Sequence, residues 1–421
     1  MAKKIAIIGS GISGLTCGYL LHKDHDITLF EANDYIGGHT ATKDVEVNGK
    51  HYAIDTGFIV YNDWTYPNFI KLMNKLGVES QATEMSFSVK NNAQNIEYNG
   101  NTLNSLFAQR RNLLRPRFWR IVRDIVRFNR LCKEAAKQPE NIADMTLYAF
   151  IQQHRLSDDF SYNYILPMCA AIWSTSINDI KAFPFRFFVQ FFNNHGLLNI
   201  TNRPQWYTIV GGSRQYIGPL TQGFADAIKL NSPVTSVRQH NGQYALSVNG
   251  QDEYFDEVIF ACHSDQALAM LTQPTEAQQA ILDSIPYANN EVILHTDTSV
   301  LPKRKLAWAS WNYALQQQDD PSAPVILTYN MNILQRLNAD TTFCVSLNNR
   351  KDIAADKILA SFNYAHPQFS QQTIAAQARR TEISAQQGLH FCGAYWYNGF
   401  HEDGVRSALD VCAAFGVSLE C

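Results

Sequence analysis

Gly9-Ser10-Gly11-Ile12-Ser13-Gly14 lies between an apolar run, Lys4-Ile5-Ala6-Ile7-Ile8, and a segment from Leu15 to Lys23 whose apolar residues recur at helical spacing. A second strand is predicted over Asp26 to Phe30, closed by Glu31. Strand, glycine turn, helix, strand and acid, in that order, is what a dinucleotide site requires. Gly9 permits the tight turn off the strand, Gly11 lets a pyrophosphate approach the backbone, and Gly14 lets the helix pack close to the strand. Ile12 and Ser13 fall in the first helical turn, where free amides and a partial positive charge meet phosphates. Glu31 is placed to accept hydrogen bonds from a ribose, with Ala32 beside it. The expected fold class is α/β, with a Rossmann-like nucleotide-binding domain.

At 421 residues the chain is too long for one simple core, so two domains or subdomains are expected. A 46% hydrophobic share is ordinary for a globular protein, and a net charge of -3 gives no global pull toward nucleic acid. The eight cysteines form no CxxC pair and read as buried thiols in a reducing compartment, with Cys421 exposed. Met1-Ala2-Lys3-Lys4 before apolar residues imitates a signal peptide, but cleavage near Cys17 would destroy the glycine turn. No apolar run reaches the ~18–20 residues of a membrane span. A cytoplasmic protein is expected, with peripheral attachment to the inner membrane left open. His39, His263, His295, His390 and His401 are scattered, with no HxxxH or HExxH, so no metal site is expected.

GxGxxG does not choose its dinucleotide. Further pieces follow: Gly37-Gly38-His39-Thr40 shortly after the acid, and Asp55-Thr56-Gly57-Phe58 after a strand over His51 to Ile54. Leu389 to Ala394 reads as a buried strand ending at Gly393-Ala394. Gly399-Phe400-His401-Glu402-Asp403-Gly404-Val405 then opens a helix.

In these pieces the chain resembles the flavin-containing amine oxidase superfamily, which includes protoporphyrinogen oxidases and carotenoid desaturases. The resemblance implies non-covalent FAD rather than NAD, in a site assembled from both ends of the chain. It implies cofactor contacts at Gly9, Gly11, Ile12, Ser13, Gly14, Glu31, Ala32, Gly37, Gly38, His39, Thr40, Thr56, Gly57, Phe58, Gly393, Ala394, Asp403, Gly404 and Val405. Val234, in Ser232-Pro233-Val234-Thr235, matches the position covering the adenine, and Phe255 to Cys262 matches a strand returning to the dinucleotide sheet. Asp55 to Asn62, Leu294 to Asp297, Trp308 to Tyr313 and Gly399 to Gly404 are similar to a narrower bacterial branch of FAD-dependent oxidoreductases. That branch resembles the flavin domain fused to plant cyclopropane fatty-acyl synthases, which suggests lipid chemistry and a lipid-modifying methyltransferase as partner. There are departures from the superfamily pattern. No lysine follows Ile285-Pro286, Tyr35 and His39 replace the arginines flanking the glycine pair, and no cysteine matches a covalent flavin link.

Residues 1–84, 205–263 and 388–421 are assigned to a discontinuous FAD-binding domain. Residues 85–204 and 264–387 are assigned to an interleaved α+β substrate domain. Within the latter, Arg110 to Lys137 predicts a helix beginning near Pro116, with Arg120, Arg123, Arg127 and Arg130 along one stripe and Phe118, Ile121, Val122, Ile125 and Phe128 opposite. A plain surface helix and attachment to an anionic membrane surface are both open readings. The phenylalanines from Phe183 to Phe192 are open between core and an apolar tunnel, and Gly211-Gly212-Ser213 between a turn beneath the flavin and a hairpin.

The expected activity is hydride removal, by desaturation or oxidation, from an apolar substrate of the fatty-acyl or lipid class. The rivals are amine oxidation with peroxide release and a non-catalytic flavoprotein partner of the methyltransferase. Few catalytic side chains are needed beyond the flavin. Phe400, Trp311 and Tyr395 are candidate walls of the reaction site, and His401 is the candidate acid or base, with a helix-capping role as its alternative.

Overall fold

The computed structural model describes residues 2–315 and 326–419, so Cys421 lies outside the described residues. A five-stranded sheet has the spatial order Ile228–Lys229, Asp26–Phe30, Lys4–Ile8, Glu257–Phe260, Leu389–Phe391. Every neighbouring pair is parallel. These strands are short apolar runs because parallel strands are covered on both faces. Chain order reverses between Lys4–Ile8 and Glu257–Phe260. Outside their carboxyl ends lies the crevice in which open α/β sheets bind ligands.

The first helix, Ile12–Leu21, packs against the last, His401–Ala413. Ser13 Oγ donates to the Gly404 carbonyl at 3.0 Å, and a Cβ on Gly404 would lie 2.7 Å from Ile12. Glu402 reaches from the last helix to the start of Pro67–Leu76, where its carboxylate accepts from the amides of Asn68 (3.2 Å) and Phe69 (2.8 Å). Those are two of the orphan donors of a helix N-terminus. Glu402→Ala is therefore expected to cost about 1–3 kcal/mol, read as a lowered thermal midpoint, because both amides are left unpaired.

A seven-stranded mixed sheet runs Ile358–Pro367, Tyr287–His295, Cys344–Leu347, Leu327–Asn330, Trp311–Leu315, Phe87–Asn91, Ile96–Asn99. The helical segment from Pro116–Ala135 to Phe185–Asn194 packs on it and forms the largest core cluster. Phe183, Phe185, Phe188 and Phe192 are buried in that cluster. In the helix Pro116–Ala135, Phe118, Ile121 and Phe128 are buried while Arg120, Arg123 and Arg130 are exposed. Asp124 is buried as well, accepting from the Ser157 amide and from Arg123 at 3.0 Å each.

The turn at Gly211-Gly212-Ser213 is not a hairpin. The strand before it, Trp206–Ile209, pairs with the earlier strands Tyr61–Asn62 and Ser80–Thr83, and the chain after it enters a helical turn. Buried Asp55 holds this turn by accepting from the Ser213 amide and hydroxyl, both at 2.9 Å. The seven described cysteines are free thiols. No helix among the described residues is long and apolar enough to cross a membrane.

Candidate active site

A cavity of about 1250 Å³ runs from the carboxyl ends of the parallel strands to the seven-stranded sheet. That exceeds the ~300–1,000 Å³ of an ordinary ligand pocket, so it has room for a dinucleotide and a further molecule. At one end it is lined by Gly9, Gly11, Ile12, Ser13, Glu31, Ala32, Gly37, Gly38 and Val234, joined by Gly393 and Ala394 from the far end of the chain. His39, Thr56, Gly57 and Phe58 line its middle together with Tyr395, Phe400 and His401, and Trp311 lies toward the other sheet.

The glycine turn is built as a phosphate cradle. Gly9 has φ +109°, and a Cβ there would lie 2.8 Å from the Ala261 carbonyl. A Cβ on Gly11 would meet nothing within 4 Å, because the space in front of it is the cavity. The amides of Ile12 and Ser13 donate to no acceptor among the described residues, and the helix dipole adds positive charge there. Glu31 is fixed by the Ser10 amide (3.0 Å) and hydroxyl (2.6 Å) and by the Asn33 amide (2.9 Å). Buried polar atoms also await a partner: His39 Nε2 and the Tyr395 hydroxyl, both from lining residues, make no hydrogen bond. The residues present fit a bound dinucleotide.

Residues 12–344, well over half of the chain, match the sequence profile described as flavin containing amine oxidoreductase. The chain belongs to the flavin containing amine oxidoreductase family. It is an FAD-dependent oxidoreductase. Among solved structures, cyclohexylamine oxidase from Brevibacterium oxydans IH-35A is similar over 98% of each chain, with TM-score 0.71 and 13% identity. The CLA-producing fatty acid isomerase from P. acnes is similar over 98% of each chain, with TM-score 0.68 and 13% identity. At such identity these two show a shared fold. No curated protein matches the chain.

Five residues anticipated at the flavin of this oxidoreductase stand behind the cavity wall, namely Gly14, Thr40, Asp403, Gly404 and Val405. A Cβ on Gly14 would lie 2.0 Å from the Gly9 carbonyl oxygen, so this glycine serves helix-to-strand packing. Thr40 is hydrogen-bonded to the Tyr216 hydroxyl and, at 3.1 Å, to His401 Nε2. Asp403 accepts from the Phe400 amide at 2.9 Å, and burial raises its carboxyl to about 7. Gly404 and Val405 pack in the interface with the first helix. Arg406, next along, lies over the Tyr397 ring, 4.0 Å from its centroid.

His401 stacks on Phe58 with centroids 3.6 Å apart and planes 10° from parallel. Burial lowers it to about 3, so its imidazole is neutral throughout the physiological range. It is suited to orienting Thr40 and Tyr216 rather than to delivering a proton. Phe400 stacks on Phe191 with centroids 5.3 Å apart, and Trp311 meets Tyr329 edge-on at 5.2 Å. Trp396, Tyr397 and Tyr313 do not line the cavity.

His263 and His366 also line the cavity, and neither carries a local sequence signal. His263 stacks on Tyr287 at 4.1 Å, and His39 lies 5.4 Å from His366 between ring centroids. Burial lowers His39, His263 and His366, the last to about 4. His195 Nδ1–H donates to the Phe191 carbonyl at 2.9 Å. That bond fixes the tautomer and leaves Nε2 as an acceptor. Only the i to i+4 spacing from Phe191 to His195 hinted that the two could meet.

Proposed function

We propose that this oxidoreductase removes a hydride from a C–H bond of an apolar, fatty-acyl substrate, with the FAD held non-covalently. The observation that carries this reading is the charge distribution of the cavity. The carboxylates lining it are Glu31, engaged by Ser10 and Asn33, and Asp265, which is exposed. The part beyond Phe400 is walled by Met168, Ile172, Phe191, Val292, Leu347 and Trp311, with no acidic side chain. A substrate ammonium placed there would be desolvated without a counter-charge, at a cost of several kcal/mol. An acyl chain meets no such penalty. A fatty acid isomerase with the same fold is in keeping with this reading.

The division into a discontinuous FAD-binding domain and an interleaved substrate domain is part of the proposal. The Gly9–Ser13 turn would hold the diphosphate and Glu31 the ribose. FAD, when bound, supplies a two-electron acceptor for hydride. Cys262 lines the cavity, but burial raises its thiol far from the thiolate form a covalent link would need. The chain's task is to exclude water, align the acyl carbon and take up a proton. His195 lines the cavity with Nδ1–H held on the Phe191 carbonyl, which leaves its Nε2 as the acceptor of that proton. In a desaturation the hydride leaves one carbon, the proton leaves its neighbour to His195, and the electrons of that second C–H bond form the alkene.

The test is anaerobic mixing of the yellow protein with a dispersed unsaturated fatty acid or its ester. Loss of flavin colour with formation of a more unsaturated product is expected. His195→Gln should slow the bleaching about 10²–10⁴-fold. Bleaching by polyamines or aromatic amines instead, with peroxide on admission of air, would replace this reading by amine oxidation.

A further inference from the structure

We propose that the surface carrying Leu103, Leu113, Leu114 and Trp119, with Arg110, Arg111 and Arg115, docks the protein on an anionic phospholipid bilayer, with the cavity mouth turned toward the lipid. Two exposed lining residues, Gly100 and Asn101, mark an opening at the substrate end of the cavity. Two residues on, Leu103 starts a short helix, Leu103–Leu106, with 77% of its surface in water. Leu114 is 89% exposed, and Leu113 and Trp119 are close to half exposed.

These side chains share one surface. Trp119 packs against Phe107 with ring centroids 5.3 Å apart, and its Nε1–H donates to the Leu113 carbonyl at 2.9 Å. Arg110 ties the patch to the mouth helix by donating to Asn104 Oδ1 at 2.6 Å. Exposed aliphatic tips on loops and short turns contribute nothing to a core. A tryptophan among them suits the boundary between water and acyl chains.

The charge at this surface is of one sign. Arg110, Arg111 and Arg115 donate to Asn104, Phe107, Asn95 and Asn112, with no carboxylate in ion-pair range among the described residues. The facing acids are already engaged: Glu97 with Arg304 at 3.0 Å, and Asp159 with Arg117 and, at 3.8 Å, Arg120. Three unpaired guanidinium groups are complementary to lipid phosphates, and the leucines to the acyl layer below. A nucleic acid would use the arginines alone and leave Leu103, Leu113 and Leu114 in water. The inference rests on the fatty-acyl reading only for the meaning of the mouth's direction, because a membrane lipid could then enter without crossing bulk water.

The experiment is co-sedimentation of the flavin-loaded full chain with vesicles of phosphatidylglycerol and phosphatidylethanolamine, and with phosphatidylcholine alone. Salt-sensitive binding to the anionic vesicles is expected. The triple variant Arg110→Gln, Arg111→Gln, Arg115→Gln should weaken it roughly a hundredfold, about fivefold per arginine. Leu113→Ser with Leu114→Ser should weaken it about tenfold or more. Leu114→Ser alone, at a nearly fully exposed position, guards against a folding defect. Each variant should keep its flavin content and thermal midpoint. Failure of the parent protein to sediment overturns the proposal, as does unchanged sedimentation of both multiple variants. Equal capture by duplex DNA, lost with the arginines and kept without the leucines, assigns the surface to polyphosphates and also overturns it. Oxidation of a detergent-dispersed acyl substrate is measured separately. If that fails while vesicle binding holds, the substrate reading falls and the docking surface stands.

Discussion

Gly11→Val is expected to give a folded but colourless protein. The Cβ direction at Gly11 points into open cavity, and its φ of -67° suits any L-residue. The substitution therefore costs the apoprotein little, but it fills the place where the diphosphate must approach the backbone. Flavin affinity should fall at least a hundredfold, judged by absorbance after gel filtration. The thermal midpoint should match that of flavin-stripped parent protein, since only the ligand's contribution to stability is lost. Gly14→Ala makes the contrast. Its methyl group would sit 2.0 Å from the Gly9 carbonyl oxygen and 3.1 Å from Ala261 Cβ, and neither neighbour is the free end of a flexible side chain. The helix must move off the strand, at a cost of about 4 kcal/mol or more. Both variants lose colour, but only Gly14→Ala should lower the midpoint of the apoprotein.

The second large effect is acid lability. Six histidines are held below their ordinary value chiefly by burial: His195, His295 and His366 at about 4 and His401 at about 3, with His39 and His263 lowered as well; His195 and His295 are buried and the other four half-buried. Below pH ~6.5 the unfolded chain binds protons at these sites and the folded chain does not. Their contribution to stability is present above ~6.5 and is lost as pH falls toward the folded values, at about 1.4 kcal/mol per pH unit each. Three acids oppose them. Burial raises Asp55 to about 6, Asp403 to about 7 and Glu402 above its ordinary value, so these three lose stability as pH rises through their folded values and regain it on acidification. Six groups against three leave a net loss of about 4 kcal/mol per pH unit, against a total stability of about 5–15 kcal/mol. The thermal midpoint should be highest near neutrality and fall steeply below pH ~6. Asp403→Asn removes one compensating group, so its midpoint should fall faster than the parent's between pH ~7 and ~4. A flat profile down to pH ~4 would show that these histidines are not held as neutral imidazoles.

The parts of the site that were legible in the sequence are those whose geometry is made within a few residues. The glycine turn, the Gly37-Gly38 pair and the start of the last helix each impose a local backbone shape that restricts residue type, so the requirement appears in the letters. Glu402 shows the limit. Read locally, it caps its own helix; in the fold, its carboxylate takes the amides of Asn68 and Phe69, more than 330 positions away. His195 and His366 gain their surroundings from packing between segments far apart in sequence, and no periodicity announces that. The basic helix was legible as an amphipathic pattern, with its arginine stripe outward. Leu113 and Leu114 were not, because they lie on a 3₁₀ turn before that helix, where the helical period does not apply. Phe191 faces the cavity while Phe188 and Phe192 are packed into the core. Core and tunnel were thus not alternatives for that helix, since its two faces differ.

Leu389–Phe391 forms the edge of the parallel sheet beside Glu257–Phe260, and the last helix follows it against the first. During synthesis, at about 5–20 residues per second, the opening strand and its glycine turn emerge tens of seconds before these partners leave the ribosome. Throughout that interval the nascent chain holds half a nucleotide cradle. A chain cut before Leu389 would therefore be unable to keep its prosthetic group, however much of the fold it retained.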